Sequence, residues 1–293
     1  MKEMRTARRG RKARQMLAAL AVATTLGTAG AQAQSPRTNT APQSRVIVLE
    51  YEVHIIGLRT LSVDTVTRIN GTRYQLDMNV RNEGVLRALT AAFASRNQAT
   101  GALIPNGVAP STGYTGIAVG RSFQRTWAVR YLPDGSLDET YTNLDQPESF
   151  KPTPAQKKGS VDPATGLIVA AFSPGGPCNR TIKMFDSKRR FDLVAGPATK
   201  QVLPNGFTPL FSGETETCEM RMVKIAGYGG DGNPKDQATD DDPIRVWLGK
   251  LDSSGIGFPV RVTLSTGWGT LVGRLKRREI REFRPEDYQA MRQ

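Results

Sequence analysis

The chemistry open to this 293-residue chain turns on three small sets of residues: one histidine, two cysteines and an aspartate-rich loop. His54 alternates with Glu50 and Glu52, a pattern that would suit a metal if the side chains converged. On a strand, though, each i, i+2 step is about 7 Å, too long for one ion. The sequence therefore predicts a solvated strand face there. Asp231, Asp236 and Asp240-Asp241-Asp242 invite calcium, yet the loop lacks the alternate ligands, the central glycine and the closing glutamate of an EF-hand. With one histidine, no Ser-His-Asp or Cys-His mechanism can be assembled, and neither a G-x-S-x-G elbow nor a P-loop is present. No catalytic residue, metal or cofactor is expected.

Two other features could meet a ligand. Trp247 lies in a strand-like run and Trp268 between two glycines, Gly267 and Gly269. Flanking glycines allow close backbone approach, with the indole at a rim or over a cavity. Arg274, Lys276, Arg277 and Arg278 form a basic stretch. It reads either as an edge strand protected by charge or as a contact for anionic lipid headgroups.

The first 33 residues have the form of a signal peptide. A basic start runs from Lys2 to Arg14, Met16 to Leu26 is apolar, and Ala31-Gln32-Ala33 offers a cleavage site. The apolar run is shorter than the roughly 20 residues needed to span a bilayer. No cysteine lies near the cleavage site, which argues against a lipoprotein anchor. A periplasmic destination is expected, by the general secretory route rather than the twin-arginine one, since Gly10-Arg11 follows Arg8-Arg9. The segment holds seven basic residues and one acid, so its removal lowers the formal charge from +13 to +7. That weakens the nucleic-acid reading that a basic chain otherwise invites. In such a compartment Cys178 and Cys218 should pair as a disulfide on neighbouring strands.

The elements that must position these residues are mostly strands. Residues 34–44 are polar and proline-containing, a disordered leader. From Arg45 the apolar residues alternate: Ile47, Leu49, Tyr51, Val53 and Ile55, then Leu61 to Ile69, then Tyr74 to Val80 beyond an Asn70-Gly71 hairpin turn. Residues 85–97 fit helix or strand equally. Further strands are predicted over 123–132, 136–142, 180–185, 189–194, 211–225, 244–248, 259–264 and 270–281, with a short helix from Pro285. Asp162 can cap a helix over Pro163–Phe172, with proline at the first turn and no charged residue inside. A helix so apolar must be covered nearly all round. The expected fold is mainly β: a single domain over 45–284 in which an antiparallel, strongly curved sheet or incomplete barrel of about a dozen strands wraps that helix. Leu167, Ile168 and Phe172 should face the sheet.

Four stretches resemble the exported bacterial family Domain of Unknown Function 3108. They are Asp162-Pro163 at the start of the helix, Cys178 ahead of Met184 to Leu193, Cys218 with Val223 to Tyr228, and Pro259 to Val262 leading into Gly269-Thr270-Leu271. Where that family has Asp-Gly in the first turn, this chain has Asp186-Ser187. The resemblance implies an envelope location and a β-rich fold, and brings no catalytic residues. Together these readings favour a non-catalytic module that holds an apolar or lipid-like ligand, with Leu167, Ile168, Phe172, Trp247 and Trp268 as the candidate contacts. The alternative is a structural or assembly protein of the envelope acting through its surface. Oligomeric state is not legible in the sequence.

Overall fold

The computed structural model describes residues 44–84, 87, 93–104, 107–108, 111–142, 148–228, 243–250, 256–266 and 269–291. The signal-like segment, nearly all of the leader, the aspartates of 231–242, Trp268 and most of the ambiguous stretch 85–92 lie outside the described residues.

The described residues form fifteen strands: β1 (Arg45–Ile55), β2 (Leu58–Asn70), β3 (Arg73–Asn82), β4 (Ala94–Ile104), β5 (Gly107–Val108), β6 (Gly113–Val119), β7 (Gln124–Tyr131), β8 (Leu137–Thr142), β9 (Thr181–Phe185), β10 (Arg190–Ala195), β11 (Thr199–Leu203), β12 (Gly213–Ala226), β13 (Ile244–Lys250), β14 (Gly257–Thr266) and β15 (Gly269–Glu282). Among the described residues three α-helices accompany them, α1 (Pro154–Lys157), α2 (Pro163–Phe172) and α3 (Pro285–Ala290), with one 3-10 turn at Glu148–Phe150. The strands form one open antiparallel sheet in the order β8-β7-β6-β4-β3-β2-β1-β15-β14-β13-β12-β10-β9, with β5 beside β4 and β11 beside β12. The alternation that predicted β1 to β3 holds, and Asn97 falls on β4. The short β5, β6 and β11 were not legible, because Gly113, Gly116 and the polar run Thr199-Lys200-Gln201 break the apolar pattern.

The curvature follows from what α2 touches. It packs against β4, β14 and β9, which stand five and nine strand steps from β4 to β14 and from β4 to β9. At about 4.8 Å per step a flat sheet would set them about 24 and 43 Å apart. A ten-residue helix is only about 15 Å long and 10 Å across. The sheet must therefore curl around it. A strap of chain spans the two sheet ends: Gly159 N–H donates to Gly135 O, Val161 N–H to Lys183 O, and Phe185 N–H to Val161 O. Lys157 reinforces it, bonded to Glu139 of β8 and lying over the Phe185 ring of β9.

The outer face carries the charge. α3 lies there, with Arg281 gripping Asp287 through two bonds of 2.7 and 2.9 Å and Gln75 donating to Ala290 O. The basic stretch is not an edge strand, as the sequence suggested. β15 pairs with β1 on one side and β14 on the other, and Lys276 and Arg277 meet Glu52 and Glu50 at 2.9 and 2.8 Å. The acids alternate with apolar residues on β1, so charge pairing between neighbours, not edge protection, explains the pattern.

Candidate functional site

The concave face is mostly apolar, with Thr65, Thr67 and Asn82 among its aliphatic residues, and it is filled unevenly. At the α2 end Ile47, Leu49, Ile69, Tyr74 and Leu76 are fully buried. Tyr74 lies beneath the helix, its hydroxyl 3.0 Å from Thr165 Oγ1. Val80 is six residues further along β3, about 20 Å away. There the same face continues as cross-strand rows: Val80, Val63 and Tyr51 in one, Leu61, Val53, Gly273 and Val262 in the next. The last row joins Leu58, Ile55, Leu271, Leu264 and Ile244 across five strands. All but the exposed Leu58 are half-buried. This is an aliphatic tract of a kind normally covered.

Of the residues predicted to line a site, α2 supplies three. Ile168 is buried in the core, whereas Leu167 and Phe172 are half-buried against it. The most buried stripe runs through Ala164, Thr165, Ile168 and Ala171, because small residues let Met184 and Tyr74 approach the helix closely. Phe172 stacks edge-on with Phe258, ring centres 6.1 Å apart. Thr266, the last residue of β14, is eight residues from Phe258, or about 26 Å, so the helix exit and that end of β14 lie far apart. Trp247 is buried in the same core cluster, directly across from Arg261 of β14. Its Nε1–H donates to Gln201 at 2.8 Å, and its ring packs with Phe207 and Arg261. A cavity of about 470 Å³ does adjoin the helix exit, lined by Phe172, Gly176, Leu248, Lys200 and Lys250 among others.

The disulfide forms between Cys178 and Cys218, Cα atoms 5.7 Å apart. Cys178 sits in the turn after α2 and not on a strand. The bridge therefore pins the helix exit to β12, within a second apolar cluster with Met220, Val246 and Leu248.

The burial of Asp162 and the part-burial of His54 were not read from the sequence. Asp162 caps α2 by accepting Thr165 N–H at 2.7 Å, and it is wholly buried with Oδ2 unpartnered. Burial pushes its carboxyl above the usual range. The signal was present: a helix apolar all round drags its own cap inside. His54 is half-buried rather than solvated, because Arg59 and Arg274 lie close; burial, then the Arg274 charge, holds its imidazole below the ordinary value. Among the described residues no cluster of three metal-ligating side chains occurs.

One backbone position is strained in the open. Ile56 and Gly57 make the β1–β2 turn with φ of 50° and 77°. That left-handed pair suits Asn-Gly, and for an isoleucine it costs about 1–2 kcal/mol. Ile56 is nevertheless 78% exposed and Leu58 53%.

This architecture, a curled sheet around an apolar helix with a Cys178–Cys218 staple, coincides with a family match over residues 50–276, to a model described as protein of unknown function, DUF3108. The chain belongs to that family. Ser187, where the resemblance noted a departure, has φ 78°, so this DUF3108 chain keeps the left-handed turn without the glycine. Searches of curated proteins and of solved structures return no match. Among the described residues no helix is long and apolar enough to cross a membrane.

Proposed function

We propose that the protein is an exported envelope protein that holds an apolar or lipid-like ligand on the concave face of its sheet. The observation that carries this reading is the half-buried tract Tyr51, Val53, Ile55, Leu61, Val63, Val80, Val262, Leu264 and Leu271. α2 occupies the other end of the same face, so an acyl chain laid along the tract would meet a side wall of aliphatic groups and a floor at the helix. Burying such surface yields about 25 cal/mol per Å², ample for a ligand with one or two acyl chains. The charged outer face supports a hydrated exterior. Export rests on the tripartite start of the chain, with cleavage after Ala33. Titration of the mature protein with a long-chain fatty acid tests the reading: saturable binding is expected, and Val63→Asp should abolish it. Absence of binding would leave the surface-contact reading.

A further inference from the structure

We infer that the β1–β2 hairpin docks the protein on a phospholipid bilayer by inserting Ile56 and Leu58 at the boundary between headgroups and acyl chains. Three observations converge. The turn at Ile56-Gly57 is left-handed at both residues, a geometry that asparagine meets without strain and isoleucine does not. Most of this side chain faces outward, at 78% exposure, while Leu58 beside it is 53% exposed. An outward aliphatic pair on a tip, one member of it strained, points to a contact outside the chain.

The surroundings say what kind of contact. Ile56 reaches across to the start of β15: a Cβ on Gly269 would lie 3.3 Å from its Cγ1. Directly behind lies the row Leu58, Ile55, Leu271, Leu264 and Ile244, and that row is the open end of the half-buried tract. The two most exposed side chains of the tip, Ile56 and Leu58, are both aliphatic and suit the apolar boundary of a bilayer. Behind the tip come Arg59, Arg274 and Lys276, with Glu52 bonded to Arg59 and Lys276 at 3.2 and 2.9 Å. Aliphatic groups at a tip and cations set back from it match the order of layers a bilayer presents, acyl chains inside and phosphates outside. Docked in this way, the tract would open towards the membrane. The inference deepens the ligand-holding reading, which is tested separately.

The test is flotation of the mature protein with vesicles of phosphatidylethanolamine and phosphatidylglycerol. Wild type should float with the vesicles. Ile56→Asn, which suits the left-handed turn, should keep the fold, raise the melting temperature and weaken flotation, and Ile56→Asn with Leu58→Thr should weaken it about tenfold or more. Wild type that stays with the vesicle-free fraction, or a double variant that floats as well as wild type, overturns the docking. Fatty-acid binding measured without vesicles should be equal in wild type and Ile56→Asn. Its loss in both would sink the ligand reading and leave the flotation result standing.

Discussion

Asp162 carries a sharp consequence for pH. Burial holds its carboxyl above the usual range in the folded chain, while the unfolded chain titrates near the ordinary value of about 3.9. Between those two values the folded state keeps a proton that the unfolded state has released. Stability is then full below about pH 4 and falls, by up to about 1.4 kcal/mol per pH unit, as pH rises towards the folded value. Asp162→Asn retains an oxygen for Thr165 N–H and cannot ionise. Denaturant midpoints at pH 4 and pH 8 should diverge, with the variant gaining on wild type at the higher pH; parallel profiles would refute this. Ser187 makes a second case. It is 1% exposed at φ 78°, held there by Asp186 Oδ1, which accepts from Lys188 N–H and Arg189 N–H. Ser187→Gly should stabilise by about 1 kcal/mol, seen as a melting temperature higher by about 2–4 °C. At this scale the sequence was half legible. Asp162 as a cap and Asp186-Ser187 as a turn could be read, since both depend on neighbours in the chain. Burial of Asp162 and strain at Ile56 could not, since they depend on β3 and β15.

The elements were more legible than their neighbours in space. Strict alternation located β1, β2 and β3, and Asp162-Pro163 located α2, because period and cap are local properties. The reading of Arg274 to Arg278 as an edge failed because charge alternation looks the same on an edge and on a central strand whose neighbour offers Glu50 and Glu52. On α2, the depth of each residue sets the cost of changing it. Ile168→Ala should destabilise by about 2–5 kcal/mol, and Leu167→Ala by less than half of that, as Leu167 is only half-buried. Equal losses in a urea titration would show that the helix is buried differently. The Cys178–Cys218 bridge closes a separation of 40 residues, which constrains the unfolded chain by about 4 kcal/mol. Replacing both cysteines with alanine should lower the melting temperature by roughly 8–16 °C, and the unreduced, unfolded wild type should show no free thiol.

At the scale of the whole molecule, one sheet serves two solvents. Its convex side is ion-paired, from Asp64–Arg81 to Arg281–Asp287, and its concave side is mostly aliphatic from α2 to the β1–β2 turn. Among the described residues the helix covers one end of the concave face and leaves the other half-buried, and in the proposed reading an acyl chain covers that end. Measured against that account, Val53→Asp or Val63→Asp should tolerate folding better than Ile168→Asp, because the tract is already partly wet. The most direct test is native mass spectrometry of the wild-type protein, purified gently from the envelope of cells that export it. The account predicts a bound species of lipid mass that is lost on delipidation and absent from Val63→Asp. A wild-type spectrum showing only the bare mature chain, with Val63→Asp identical to it, would contradict the claim that the concave face holds a lipid-like ligand.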